Sequence, residues 1–259
     1  MDFKMDFQTE SSTCGESHWK AAKSSSSKRQ RTLAETGLEV GCCRHAVLLK
    51  ALNMFRGEIY PYPLYLHHHL HAASKISFLC QDVICKYWPW MEKVIAKCPE
   101  DLSRLNDTKP FLSVFHAKAH DWTCQVMWGG RWQEGSAAQA GEEMEQANSY
   151  LSRASLTTKT MDKGGREEQL TAHALYWNKK KILSLATSLC RRYKKSVAKE
   201  SQLKEQLSEE LSKGGLDERV DFNLWKTEVQ EFAAGPQMIH PSWIPPSFKS
   251  KSYVVVLGI

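Results

Sequence analysis

From residue 37 to residue 125 the chain switches repeatedly between two apolar periodicities, and no other feature limits the architecture as much. GLEVGCC (37–43) reads as a strand, and HAVLLKALNMF (45–55) fits either a continuing strand or a helix. PLYLHHHLHAASK (63–75) suits a helix opened by proline. Residues 76–85 read as a buried strand, WPWMEKVIAKC (88–98) as an amphipathic helix closed at Cys98 and Pro99, and PFLSVFHAKAH (110–120) as a further strand. Strands alternating with helices predict an α/β layer architecture. A hydrophobic content of 42% with 10% aromatics supplies enough apolar surface for its core.

One of these strands carries an anomaly. The apolar run Phe78-Leu79-Cys80 and Val83-Ile84-Cys85 is broken by Asp82. A lone buried carboxylate costs several kcal/mol unless it is paired or binds a cation. Asp82 therefore either marks a solvated strand end or has chemistry to perform.

Beyond residue 125 the pattern becomes helical. WGGRWQEGS (128–136) is a Gly-rich loop with two Trp, and GEEMEQANSYLSRAS (141–155) has the early acids of a helix N-terminus. A long helix is expected over about 166–213, stopped by Gly214 and Gly215, with a shorter return helix over 216–234. Its apolar positions Ile182, Leu185, Leu189, Tyr193 and Val197, then Leu203, Leu207 and Leu211, form a stripe suited to a helical partner, a second copy of the chain included. Residues 1–36 contain Lys20, Lys23, Lys28, Arg29 and Arg31 with no acid between them, and read as a disordered basic segment: a linker, or a nuclear-localisation or phosphate-contacting stretch. The expected division is 1–36, a core over 37–160, a long basic helix and helical hairpin over 161–234, and an irregular Pro-rich tail over 235–259.

The net charge of +6 favours an anionic partner. The N-terminal stretch is mixed and polar rather than a secretory signal, and no run approaches the roughly 18 apolar residues of a membrane span. Eight scattered cysteines are then expected to be reduced, which leaves buried thiols or metal ligation.

Four constellations carry candidate chemistry. Asp82 with Glu142, Glu143 and Glu145 could supply the hard oxygen ligands that Mg²⁺ requires, although acids opening a helix also serve its dipole. His116, His120 and Cys124, with Cys43 and His45 upstream, are zinc-ligand types, and on a helix the first three would share a face; the alternative is ordinary buried His and Cys. His67, His68, His69 and His71 are expected to be solvated or stacked. Lys179, Lys180, Lys181, Arg191, Arg192, Lys194, Lys195 and Lys199 give the long helix one positive face, either simply solvated or a grip on a phosphate backbone.

Several ordered segments resemble the Kyakuja-Dileera-Zisupton (KDZ) transposases: GLEVGCCRHAVLLKALNMFRGEIYPYPLYL, QDVICKYWPW, KPFLSVFHAKAHDWTCQVMWGG, GEEMEQANSYLSR and LTTKTM. The resemblance covers about residues 14–200 and implies an RNase H-like, DDE-type core that uses Mg²⁺ on DNA in the nucleus. It implies that Asp82, in the D-x-x-C motif, is the second catalytic carboxylate and that Glu142 or Glu145 is the third. It also places Cys43, Arg44 and His45, and His116, His120 and Cys124, in family motifs. The family's first Asp precedes the segment found here as Cys14-Gly-Glu-Ser-His-Trp19-Lys20, and neither Asp2 nor Asp6 has a comparable context. The expectation is a truncated, incomplete core: a former strand transferase, catalytically inactive and at most DNA-binding. An active nuclease that draws its first acid from Asp2, Asp6 or another chain, and a non-enzymatic helical scaffold, are the competing readings.

Overall fold

The computed structural model describes residues 34–55, 57–137, 139–214 and 221–235. The expectations for 1–33, for Asp2 and Asp6, for the stop at Gly215 and for the tail after 235 lie outside them.

Strands β1 (Gly37–Cys42) and β2 (Leu48–Met54) form an antiparallel hairpin, so the ambiguous 45–55 segment is a strand. Its turn closes with Ala46 in the left-handed region (φ 60°) and a bond from Ala46 N–H to Cys43 O (2.8 Å). Helix α1 (Pro61–Ala73) opens on proline, whose missing N–H costs nothing in a first turn. Strand β3 (Phe78–Cys80) pairs in parallel with β4 (Lys109–Phe111). The described residues thus hold two separate two-stranded sheets among predominantly helical elements.

Both of the longer strands read from sequence are short in the structure and give way to helix. Gln81 N–H makes the last bond to the neighbouring strand, at Phe111 O (3.2 Å), and Ile84 already begins helix α2 (Ile84–Lys97). The physical reason is spacing. Ile84, Tyr87, Trp88, Met91 and Ile95 recur at three- and four-residue steps and are all buried, so the apolar residues after Asp82 belong to a helical stripe. Likewise 110–120 is strand only to Phe111. The chain then enters the short helix α4 (Val114–Ala117), whose first turn is capped by the Ser113 hydroxyl accepting from His116 N–H; the equally short α3 (Pro99–Leu102) lies upstream of β4.

Helix α5 (Trp122–Trp128) leads into the Gly-rich loop. Gly130 has a backbone reason: a Cβ there would stand 2.0 Å from the Phe111 ring. Helices α6 (Glu143–Leu151), α7 (Ser155–Thr158), α8 (Lys163–Leu183) and α9 (Leu185–Gly214) follow, the expected long helix being interrupted at Ser184. Helix α10 (Phe222–Ala234), capped by Asp221, packs on α5, with Trp122 and Phe232 ring centroids 5.7 Å apart.

Two apolar clusters hold these parts together. Ile84, Tyr87, Trp88, Met91, Ile95, Leu105 and Leu112 anchor α2 over β4. Ala46, Leu48, Ala147, Leu151 and Trp177 join the hairpin to α6 and α8. That second joint is also polar: Trp177 Nε1 donates to Ala46 O (2.6 Å), and the Asn178 amide both donates to Leu48 O and accepts from Leu48 N–H, each at 2.8 Å. Asn178 thereby satisfies both backbone groups of one residue, as a neighbouring strand would.

The histidine run is not simply solvated. His67 is buried, with Nε2 2.9 Å from the Thr108 hydroxyl; His71 reaches the same hydroxyl at 3.3 Å, and His69 stacks on Tyr65. Burial first, then His71 and His68, moves the His67 pKa from 6.5 down to about 4. Because the folded value lies below the unfolded one, the stabilisation tied to neutral His67 is complete above pH 6.5 and is lost as pH falls toward 4. His67→Gln should therefore narrow its stability gap from the wild type as pH drops through that window, measured by urea unfolding at stepped pH; a constant gap would contradict a buried neutral imidazole.

Candidate metal centre

The abrupt passage from β3 into α2 leaves Asp82 at the mouth of the small sheet, half-exposed, at the head of the core helix. Two other elements bring side chains to it. From α4, buried His116 places Nε2 3.4 Å from Asp82 Oδ1 and 3.1 Å from Glu145 Oε1. From the first turn of α6 comes Glu145 itself. The three donor atoms lie within 4.8 Å of one another. Burial raises the Asp82 pKa, and Glu145 raises it further; His116 and His120 pull it back. Two carboxylates facing each other repel, and a cation between them relieves that repulsion. The donor set of two carboxylate oxygens and one imidazole nitrogen fits Mg²⁺ or Mn²⁺, with the nitrogen favouring Mn²⁺.

The other candidate acids are elsewhere. Glu142 is the residue before α6, and its Oε1 accepts from Phe115 N–H (3.1 Å), tying α4 to α6. Glu143 receives Gln139 and stands 3.8 Å from Arg192. Of the two glutamates left open by the sequence, Glu145 is the one beside Asp82.

The candidate zinc set is redistributed. His116, His120 and Cys124 do not share one helix face, because the chain breaks between α4 and α5 at residues 118–121. His116 joins the carboxylates, whereas His120 and Cys124 gather with Cys85, all donor atoms again within 4.8 Å. Cys43 and His45 contact one another (Sγ to Nδ1, 3.9 Å) in the β1–β2 turn and belong to neither group.

Two residues were missed. Cys85 follows Asp82 at the D-x-x-C spacing, and that spacing was the available signal. Glu39 is an acid between Leu38 and Val40 in β1, the same anomaly that singles out Asp82. Burial, then Glu58 and Asp82, raises its pKa from 4.5 to about 7. A third carboxylate thus feels the field of the site.

A family model, Kyakuja-Dileera-Zisupton transposase, matches residues 1–178 of the 259. The chain belongs to the KDZ transposase family. Neither the curated proteins nor the solved structures contain a match. Among the described residues no helix is long and apolar enough to cross a membrane. The geometry brings the D-x-x-C and G-E-x-x-E segments of this KDZ chain to one place in the fold, since Asp82 and Glu145 meet there across His116.

The basic residues of this KDZ chain divide into two kinds. Lys179, Lys180, Arg191, Lys194, Lys195 and Lys199 are exposed. Lys181 instead lies over the Trp177 ring (4.3 Å) and donates to Gln146 (3.1 Å), and Arg192 faces Glu143 and donates to Arg44 O (3.3 Å). Both of these cations fasten α8 and α9 to α6, the helix that carries Glu145. The same cations border a cavity of about 290 Å³ with His45, Ser188, Arg191 and Lys195.

The raised pKa of Glu39 has a consequence for stability. Its folded value exceeds its unfolded one, so the fold favours the protonated form, and stability declines as pH rises through about 7. Glu39→Gln should unfold at a higher temperature than the wild type above that pH and at a similar temperature well below it. Thermal unfolding followed by circular dichroism on both sides of neutrality decides this, and a variant that is no more stable at alkaline pH would refute it.

Proposed function

We propose that this KDZ protein is a transposase derivative that binds DNA through the exposed cations of α8 and α9 and holds a divalent cation at Asp82, Glu145 and His116. The observation that carries the reading is the convergence of those three side chains, from three separate elements, beside a basic helix. Ancestrally such a site served an RNase H-like strand transferase. When bound, the cation would supply Lewis-acid stabilisation of a phosphodiester's developing charge. The chain's own residues do the rest: Asp82 and Glu145 offer oxygens, and His116 bridges them. Lys181 and Arg192 seat the basic helix against α6, and the exposed cations meet the phosphates. The proposed state is a grip on DNA without strand transfer, because two-metal phosphoryl chemistry draws on a further carboxylate and, among the described residues, Asp82 and Glu145 group with His116 alone. Work on DNA also implies residence in the nucleus.

Two measurements test the reading. Neutralising Lys179, Lys180, Arg191, Lys194 and Lys195 together should weaken duplex binding for any sequence and flatten its dependence on log salt by about 0.9 per phosphate contact removed. An unchanged salt slope would exclude this face. In a cleavage assay on supercoiled DNA with Mn²⁺, the wild type and Asp82→Ala should both leave the substrate intact. Cleavage by the wild type that vanishes in Asp82→Ala would instead establish an active nuclease with a complete site.

A second reading draws on α9. Its 30 residues, about 45 Å of helix, contain none that is buried, while Leu189, Tyr193, Val197 and Leu207 are exposed. Self-association along this stripe would cover them. Leu203→Asp with Leu207→Asp should then reduce the mass seen by light scattering, and a mass identical to the wild type's would dismiss the scaffold role.

A further inference from the structure

We propose that Cys85, His120 and Cys124 form a soft-metal site, zinc being the fitting ion, distinct from the carboxylate centre and adjoining it.

The geometry is that of a ligand set. Cys85 lies in the first turn of α2, His120 in the link between α4 and α5, and Cys124 in the first turn of α5. His120 and Cys124 are buried and Cys85 is half-buried. Cys85 Sγ stands 3.5 Å from His120 Nδ1, and Cys124 Sγ joins them within 4.8 Å. Bond lengths of about 2.3 Å for zinc–sulfur and 2.0 Å for zinc–nitrogen, at a tetrahedral angle, separate thiolate from imidazole by about 3.5 Å. A thiol–imidazole hydrogen bond would need one cysteine, yet two sulfurs converge on this ring. Two sulfurs and one nitrogen also select zinc over Mg²⁺ by ligand softness.

The backbone holds the set in place. His120 N–H donates to Ala117 O (3.0 Å), and the Gln125 amide donates to His120 O (2.9 Å), so the imidazole is carried on a braced turn. The sequence explains the adjacency of the two centres. Cys85 is three residues after Asp82, and His120 is four after His116. Each wall therefore contributes one ligand to the carboxylate centre and, three or four residues later, one to the sulfur centre. A metal here would tie the head of α2 to α5 and so fix the position of Asp82. Binding releases the two thiol protons to solvent.

The test uses the full chain, purified under reducing conditions and loaded with Co²⁺ as a spectroscopic substitute for zinc. The expected result is a thiolate-to-cobalt charge-transfer band with the intense visible bands of tetrahedral cobalt, both displaced by added Zn²⁺. Cys85→Ser should lose the bands while keeping its far-ultraviolet circular dichroism. Cys43→Ala, Cys190→Ala and Glu145→Gln should retain them. Zinc should also raise the unfolding temperature of the wild type and leave that of Cys85→Ser unmoved. No band in the reduced wild type, a band that survives Cys85→Ser, or one that disappears with Cys43→Ala would each overturn the proposal. None of these readouts involves DNA or cleavage, so they bear on this site separately from the carboxylate centre.

Discussion

Gln81 makes the last ladder bond of β3 and Ile84 the first turn of α2, leaving Asp82 and Val83 between two packed elements. On one side is a parallel pair of strands; on the other is a helix with Ile84, Tyr87 and Met91 completely buried. A carboxylate at that junction is placed by the packing of its two flanking elements, with His116 Nε2 facing it at 3.4 Å. That is what lets it remain half-buried with a raised pKa, because the apolar cluster beneath it supplies the stability that the charge withdraws. The junction also aims the rest of the centre. His116 comes from the turn directly after β4, the strand paired with β3, and Glu145 from the helix whose start is held to that same turn by Glu142.

The second organising joint is between the hairpin and α8. Trp177 and Asn178 satisfy backbone groups of Ala46 and Leu48, and Arg166 pairs with Glu35 and Asn53 (2.6 Å from the latter) at the far end of the same sheet. α8 behaves here as a cover for an open two-stranded sheet, and the basic stretch follows from where that cover ends. The helix passes Lys179 and Lys180 as it leaves the hairpin, breaks at Ser184, and continues as α9 without burying a residue. A basic helix placed this way is attached firmly at its root and open along its length, which suits contact with an extended polyanion.

How much of this was readable in the sequence can be judged from particular residues. Asp82 was readable, because an acid within an apolar run breaks the burial pattern on any reading. The strand boundaries around it were not. A run such as Phe78 to Cys85 fits both a buried strand and the start of a helix, and only the later spacing of Tyr87, Trp88, Met91 and Ile95 decides between them. The pairing of ligands was also hidden. An i, i+4, i+8 series looks like one helix face, but the Ser113 cap and the break at residues 118–121 make it two short helices, so His116 and Cys124 face different neighbours. Glu142 and Glu145 could not be separated by composition, since both open the same helix. Only the bond from Phe115 N–H to Glu142 shows that the first is engaged in holding the backbone.

The stacking of two donor sets also bears on metal choice. A carboxylate centre works with hard cations, and a cysteine within reach would attract a softer ion that binds more tightly and exchanges slowly. In this fold the sulfurs of Cys85 and Cys124 gather with His120 and the oxygens of Asp82 and Glu145 with His116, so a separate histidine serves each level. Neither level presents a mixed oxygen–sulfur set, so each can keep its own class of ion. The three-residue step between Asp82 and Cys85 is what enforces that separation. Moving the cysteine to an adjacent position would rotate it by roughly 100° about the helix, away from His120, and would leave the set with two ligands, His120 and Cys124, rather than three.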